Sequence, residues 1–180
     1  IRSRGSTRKS ARSAAPRRRF GPIVAHQALY NLLEHNPTHY HNIPLDYRTQ
    51  AEILPDCVEH GMAFFPYSPL FQGLLTNQFK AANQFDANDV RSANPKLNGD
   101  LFQLYYQIRA ELLAFASQIG KSLAQVAINW LIDQSAVTSV ICGAQTVEQV
   151  EDNAASALWT LTPEMRADIE HILSKYSDIL

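Results

Sequence analysis

Residues 137–153 read VTSVICGAQTVEQVEDN, and this stretch decides the class of fold. The run Val137–Cys142 is apolar and rich in β-branched side chains, which favours a strand buried in a parallel sheet. Thr146 and Gln149 follow at the three-residue spacing of a capping box, which predicts the start of a helix. A strand followed directly by a helix is the repeating unit of an α/β protein.

Upstream of this stretch, two further apolar runs have the same character, Pro22–Ala28 and Met62–Tyr67. Helical periodicity is predicted over Arg48–His60 (ended by Gly61), over Leu101–Ile119 (ended by Gly120), from Ser122 onward with Gln125 as capping partner, and from Thr162 and Pro163 onward. The resulting order, β-α-β-loop-α-α-β-α-α, predicts right-handed crossovers and a parallel sheet. Residues 71–100 are rich in Asn, Gln, Asp and Gly and predict a long, flexible, polar loop.

The composition limits the class of protein. In a chain of 180 residues, 46% apolar and 18% charged residues describe a globular domain, or a piece of a larger one, and exclude wholly disordered proteins. No apolar run approaches the roughly 18 residues of a membrane span. The two cysteines, Cys57 and Cys142, form no ligand cluster with the histidines. We therefore expect a cytoplasmic protein with neither a metal site nor a disulfide framework.

The net charge of −1 conceals two oppositely charged parts. Residues 1–20 contain 8 basic and no acidic residues, whereas residues 21–180 contain 8 basic and 17 acidic residues, a net of −9. We expect residues 1–20 to be a disordered basic tail and residues 21–180 to be the globular part. The tail could be an out-of-frame or otherwise non-functional segment, or an organellar transit peptide. Nucleic-acid binding is the weaker hypothesis, because aromatic residues are not interleaved with the basic ones.

Four stretches in order carry a resemblance to a known family: HQALYNLL at 26–33, FPYSPLFQGLLT at 65–76, QVAINWL at 125–131 and TSVICGAQTVEQVEDN at 138–153. Over about residues 22–175 the chain resembles the C-terminal part of an aldo-keto reductase. Within that superfamily it is most similar to the aryl-alcohol dehydrogenase-like and potassium-channel β-subunit-like branch. The resemblance implies an α/β fold, a partial TIM (β/α)8 barrel comprising about units six to eight. A break in reading frame upstream of Gly21 would explain the unlike tail.

The resemblance also implies the chemistry. Full-length relatives transfer hydride from NAD(P)H to an aldehyde or ketone, using an Asp, Tyr, Lys and His tetrad from barrel units two to four. These units have no counterpart here, so the resemblance implies a truncated protein without a catalytic residue, inactive alone. A non-catalytic cofactor-sensing or interaction subunit is the alternative. The missing units also leave the substrate undetermined.

The cofactor side is the part of the family site that the resemblance places in this chain, with NADP expected and NAD as the alternative. Gln27 would hydrogen-bond the nicotinamide carboxamide, although it could instead be a satisfied barrel-interior amide. Tyr67 would stack on the nicotinamide ring, although it could instead be a packed core aromatic. The residues expected to wrap the pyrophosphate, mainly through backbone groups, are Ser68, Pro69, Leu70 and Gly73.

The adenosine end of the cofactor is expected at the helix that follows the third strand. By resemblance, the residues around the 2′-phosphate and adenine are Gly143, Gln145, Gln149 and Asn153. The free N–H groups of a helix start favour phosphate there. The same feature could lower the pKa of Cys142, although packing is the expected role of this residue. Two departures from the branch weaken the preference for NADP. Gln145 stands where Arg is usual, and Asn77-Gln78 stands where Gly-Lys is usual.

A three-unit piece of a barrel would leave two strand edges unpaired and its inner face uncovered. We expect Ile23, Val24, Phe64 and Val140 to be exposed for this reason. The chain should therefore be marginally stable, self-associate, or pair with a missing N-terminal half.

Overall fold

The computed structural model describes residues 21–41, 43–80 and 85–180. The predictions for the basic tail at residues 1–20 fall outside the described residues. In the described part, no helix has both the length and the apolar content needed to cross a bilayer.

Two parallel strands form the regular part of the sheet. Strand β1 (Ala25–Leu29) pairs with β4 (Ala63–Tyr67), with Ala25 opposite Ala63 and Leu29 opposite Tyr67. Both lie within the runs predicted to be strands, give or take one residue. A short antiparallel hairpin, β2 (His39–Tyr40) and β3 (Ile43–Pro44), lies in the connection between them. The polarity of residues 34–48 gave no sign of that hairpin.

The third predicted strand pairs with the sheet at only two points. Val137 bridges Phe64 and Ile141 bridges Tyr67, both in parallel. The backbone N–H groups of Thr138 and Ile141 donate to the carbonyls of Phe64 and Pro66, each at 2.9 Å. Residues 137–141 therefore join the parallel sheet on the far side of β4, but they do not form the continuous strand that was predicted. The resulting order is β1, β4, then residues 137–141.

Helices follow the strands in the predicted order. They are α1 (Leu54–His60), α2 (Pro95–Asn98), α3 (Phe102–Gln118), α4 (Leu123–Ile132), α5 (Val147–Ala155) and α6 (Pro163–Ser174), with 3₁₀ turns at Phe71–Gly73, Val90–Ala93 and Ser156–Leu158. A π-helical turn, Thr49–Ile53, precedes α1. The N–H of Leu54, directly after this turn, donates to the Thr49 carbonyl five residues back, which is the π-helical spacing. The following residue, Pro55, has no N–H to donate.

The predicted N-caps are confirmed. Hydroxyls of Ser122, Thr146 and Thr162 accept from the backbone N–H groups of Gln125, Gln149 and Met165. The second hydrogen bond of each predicted capping box, from the N-cap N–H to the Gln side chain, is absent at both Gln125 and Gln149. The Gln125 side chain donates to Asp152 at 2.6 Å, and the Gln149 side chain accepts from the Gln145 N–H at 2.7 Å.

The two faces of the sheet are covered unequally. Phe64 is 0% exposed and packs edge-on against Tyr30, with ring centroids 6.3 Å apart, in the core formed with α3, α4 and α6. The prediction that Phe64 is exposed was therefore wrong, because alternation along β4 points it toward the helices. Its neighbours Ala63, Phe65 and Tyr67 are half-buried on the opposite face, which we call the open face.

Of the other three residues predicted to be exposed, two are exposed and one is half-buried. Ile23 and Val24 are 68% and 69% exposed, as expected for residues before the outer strand. Val140 is instead half-buried against the core. Residues 71–80, predicted to begin a flexible polar loop, carry core side chains, namely Phe71, Leu74, Leu75 and Phe79.

Candidate functional site

The carboxyl ends of the three parallel segments meet at one edge of the sheet. Gln27 is exposed and lies opposite Phe65, two residues before Tyr67 on the same open face. Ile141, 43% exposed, lies opposite Tyr67 on the other side of β4. The sheet thus brings the two residues predicted for the nicotinamide end together, at the edge where barrel enzymes carry their sites.

Tyr67 is held by two other tyrosines. Its hydroxyl lies 3.4 Å from that of Tyr47, which also accepts the Leu29 N–H at 3.4 Å. The ring of Tyr40 meets the Tyr67 ring edge-on, with centroids 5.4 Å apart. Burial, followed by the contact with Tyr47, raises the pKa of Tyr67 above its ordinary value. Tyr67 is therefore a fixed, neutral aromatic surface at neutral pH.

The loop after β4 has an unusual backbone. Ser68, Phe71 and Gln72 have φ values of 56°, 47° and 55°, and Gly73 has a φ of 101°. Non-glycine residues with positive φ cost about 1–3 kcal/mol each and persist where the surroundings fix them. The Ser68 carbonyl accepts from Asn31 at 3.1 Å, which ties this loop to the end of β1. Pro69 is buried and Leu70 half-buried, so the predicted pyrophosphate loop is rigidly supported.

The four residues predicted for the adenosine end lie just before α5 (Gly143 and Gln145) and within it (Gln149 and Asn153). Gln145 donates its N–H to the Gln149 side chain at 2.7 Å, and Asn153 donates to the Gly143 carbonyl at 3.3 Å. Gly143, Gln145 and Gln149 are exposed. A phosphate bound at this helix start would replace the Gln149 side chain on the Gln145 N–H.

Cys142, Cys57 and His35 are packed against their neighbours. Between the two roles open for Cys142, a lowered pKa at the helix start and packing, burial favours packing, because it raises the pKa of the thiol to about 11. Cys57 is buried, as expected for a small apolar side chain. His35 stacks on Trp130 with centroids 5.2 Å apart. Among the described residues, no group of three or more His, Cys, Asp or Glu is placed to hold a metal ion.

A cavity of about 450 Å³ lies beside the loop after β4. Its wall is formed by Glu34 and residues 38–41, which include strand β2, by Ser68, Phe71 and Gln72, and by residues 94–96 and Leu101. Tyr40 and Ser68 meet in this wall, with hydroxyls 3.1 Å apart. Of the wall residues, only Ser68 was predicted from the sequence as a site residue. The hairpin that supplies Tyr40 has no recognisable signal in the sequence.

An ion pair lies in the wall of this cavity. Lys96 Nζ contacts the Glu34 carboxylate at 2.7 Å, and Glu34 is 7% exposed. Lys96 also lies 5.3 Å from the centroid of the Tyr105 ring. Burial raises the pKa of Glu34 against the opposing effect of Lys96. The two charges compensate each other inside the wall.

The sequence profile of the Aldo/keto reductase family matches residues 4–174. The chain belongs to the aldo/keto reductase family. The match begins upstream of the residues that carry the resemblance, within the segment outside the described residues.

Named relatives agree with this assignment. The chain is 31% identical to L-glyceraldehyde 3-phosphate reductase of Escherichia coli K12, over 84% of this chain and 42% of that protein. It is 30% identical to a probable voltage-gated potassium channel subunit beta of Oryza sativa, over 85% of this chain and 44% of that protein. Aldo-keto reductase YhdN of Bacillus subtilis is 27% identical over 87% of this chain and 44% of its own length.

A solved structure agrees with the fold. Glycerol dehydrogenase AKR11B4 of Gluconobacter oxydans superposes with a TM-score of 0.73 at 28% identity, covering 88% of this chain and 44% of that one. The similarity confirms a TIM-barrel-like α/β fold. The chain spans less than half the length of these relatives.

Proposed function

We propose that residues 21–180 supply the NAD(P)H-binding side of an aldo/keto reductase that reduces aldehydes or ketones, with NADP as cofactor. Within this proposal the residues form units six to eight of the family barrel. The bound cofactor would supply the hydride. The observation that carries the proposal is the meeting of Gln27, Tyr67 and the loop 68–73 at the carboxyl edge of the parallel segments.

The side chains present suit the two ends of such a cofactor. Gln27 offers an exposed amide, which can both donate to and accept from a carboxamide. Tyr67 offers a fixed aromatic surface on the same face, supported by Tyr47 and Tyr40. Backbone groups of Ser68, Pro69, Leu70 and Gly73 would face the pyrophosphate.

The adenosine end of the cofactor would rest on the start of α5. Gly143, Gln145, Gln149 and Asn153 would surround the 2′-phosphate and adenine. Because Gln145 is uncharged, the 2′-phosphate would receive amide N–H donors without the bidentate ion pair that an Arg side chain would add. A modest preference for NADPH over NADH follows.

The test is NADPH binding to the purified chain, measured by calorimetry and by the enhancement of NADPH fluorescence. We expect Gln27→Ala and Tyr67→Leu each to weaken binding about tenfold, since one hydrogen bond or one stacked ring is lost. Gln103→Ala, an exposed amide on α3, is the matched control and should bind like the parent chain. Equal affinity for all four proteins, or no binding by the parent, would refute the proposal.

The potassium-channel relatives favour a second candidate, a cofactor-sensing or interaction subunit. NADPH oxidation with an aldehyde, followed on the same samples, separates the two. We expect binding without turnover by the chain alone, because the tetrad implied by the resemblance has no counterpart in residues 21–180. Turnover would eliminate the second candidate, whereas a partner chain that binds only with NADPH present would favour it.

A further inference from the structure

Helix α5 contacts the rest of the molecule along one narrow side. Asp152 faces α4, where its carboxylate accepts hydrogen bonds from the side chains of Ser122 at 2.7 Å and Gln125 at 2.6 Å. None of the nine residues of α5 is buried. A surface helix ordinarily buries an apolar stripe against its own domain. The outward side of α5 therefore lacks the cover that its apolar residues would normally have.

An apolar row runs along this outward side. Val147, Val150 and Ala154 follow one another at steps of three and four residues, which places them on one face of the helix. Leu158 comes four residues later, in the 3₁₀ turn that continues α5. Leu158 is 85% exposed, and the other three residues are exposed as well. We call these four residues the α5 row.

The α5 row is separate from the residues of α5 proposed to hold the cofactor. Gln149 and Asn153, four residues apart, share a different face of the helix. Both side chains bond the backbone of residues 143–145, the segment that leads into α5. A partner on the row would therefore leave the predicted adenosine end accessible.

Acidic side chains flank the α5 row. Glu148 and Glu151 are exposed beside it, and residues 143–161 contain no lysine or arginine. Neither carboxylate belongs to an ion pair within the described part of the chain. Two copies packed α5 against α5 about a two-fold axis would bring these carboxylates together, and like charges oppose association. Charge complementarity therefore favours a basic partner over a second copy.

The basic segment of the chain itself matches the charge of this surface but not its apolar row. Residues 1–20 contain 8 basic residues, and their only large apolar residues are Ile1 and Phe20, at the two ends. An apolar row needs several such residues at steps of three and four. The sequence of this segment therefore supplies no complement to the α5 row.

We propose that the α5 row is the docking surface for an amphipathic helix of another protein chain, with an apolar ridge against the row and lysines or arginines facing Glu148 and Glu151. Helices dock on apolar surfaces through residues at steps of three and four, which is the spacing of this row. Exposed apolar residues rimmed by polar ones mark interaction surfaces. The interaction goes beyond the proposed function, and it does not require NADPH.

The test uses the full chain and two fluorescein-labelled synthetic peptides. Both form amphipathic helices with leucines at steps of three and four residues; one has lysines beside the leucines, and its twin has glutamates at the same positions. Fluorescence anisotropy measures the affinity of each peptide. We expect the lysine peptide to bind and the glutamate peptide to bind about tenfold more weakly or not at all.

Substitution of a single leucine tests the apolar contact. Leu158→Ser removes the most exposed side chain of the row and should weaken binding of the lysine peptide about tenfold. Val90→Ser is the control, because Val90 is an exposed apolar residue in the 3₁₀ turn Val90–Ala93, away from α5. It should leave the affinity unchanged.

Charge reversal tests whether the acidic flank selects the partner. Glu148→Lys combined with Glu151→Lys should invert the preference, so that the glutamate peptide binds more tightly than the lysine peptide. Glu164→Lys combined with Glu170→Lys changes the net charge equally at exposed positions of α6 and should keep the preference of the parent chain. Far-UV circular dichroism checks that both proteins retain their helices.

The proposal is overturned if the parent binds neither peptide or both equally, if Leu158→Ser and Val90→Ser cause equal losses, or if reversal on α6 inverts the preference as reversal on α5 does. Two further results would assign the row to another occupant and also overturn it. Conversion of a self-associated parent to monomer by Leu158→Ser alone, in sedimentation velocity, would indicate a second copy. A gain in affinity for the lysine peptide on removal of residues 1–20, absent when Leu158→Ser is also present, would indicate the chain's own basic segment.

Discussion

Gln145 is the residue through which cofactor preference could be changed. Its side chain is exposed at the start of α5, and its N–H is bonded to Gln149 at 2.7 Å. Gln145→Arg would place a guanidinium beside the 2′-phosphate and should raise NADPH affinity about five- to tenfold, with NADH affinity unchanged. Calorimetric titration with both cofactors measures this, and Gln103→Arg is the charge-matched control. An equal gain in NADH affinity would show that the 2′-phosphate does not bind beside residue 145.

Cys142 shows how burial can outweigh a nearby helix start. With a pKa of about 11, only about one thiol in a thousand is ionised at pH 8, against roughly a quarter for a free cysteine. Iodoacetamide labelling of Cys142 should therefore be slow at pH 8 and rise about tenfold per pH unit up to pH 10. Peptide mass spectrometry measures the rate, with glutathione as the reference thiol. A plateau below pH 9 would show that the helix start dominates.

Arg109 connects α3 to the segment that follows the loop after β4. The side chain is 4% exposed and donates to the carbonyls of Leu74 at 2.8 Å, Thr76 at 2.7 Å and Phe79 at 3.1 Å. Arg109→Met would leave these buried acceptors without partners and should lower the free energy of unfolding by about 3 kcal/mol. Urea denaturation measures this change.

A second substitution involving α3 provides the comparison. Lys175 forms a largely exposed ion pair with Glu111 at 2.7 Å. Lys175→Met should change the free energy of unfolding by less than about 1 kcal/mol, since solvent screens exposed pairs. Similar effects of the two substitutions would mean that Arg109 does not anchor residues 74–79.

Local patterns predicted the elements better than they predicted the contacts between them. The first residues of α4, α5 and α6 were predicted from Ser122, Thr146 and Thr162, because an N-cap bond depends on neighbours in sequence alone. The partner of Gln125 did not follow, because Asp152 lies 27 residues away in sequence, whereas Gln149 bonds the N–H of Gln145, four residues before it. The cavity escaped prediction for the same reason, since its walls come from segments distant in sequence.

The candidate cofactor residues were located by family resemblance rather than by physical pattern. Gln27 and Tyr67 lie on the same face because β1 and β4 are parallel, in a register that could not be predicted from the sequence. The exposure of Phe64 was mispredicted because an apolar run such as Ala63–Tyr67 does not reveal which alternate side chains face the helices.

At the scale of the whole molecule, the open face and the outer edge of β1 favour self-association. In the described part of the chain β1 pairs only with β4, and Val24 beside it is 69% exposed. Unpaired edges with adjacent apolar side chains recruit other chains. We therefore expect the sedimentation coefficient and the Tm to rise with protein concentration over about a hundredfold range.

A charge placed at this edge tests the mechanism of association. Val24→Lys should shift the chain toward monomer, because an edge lysine opposes pairing between strands. Val90→Lys is the control, since Val90 is 64% exposed in the 3₁₀ turn Val90–Ala93, outside the sheet. Sedimentation velocity of the three proteins at equal concentration distinguishes the outcomes. If both lysine variants dissociate equally, added charge rather than the β1 edge controls association, and if the parent is monomeric throughout, the open face is tolerated in solution.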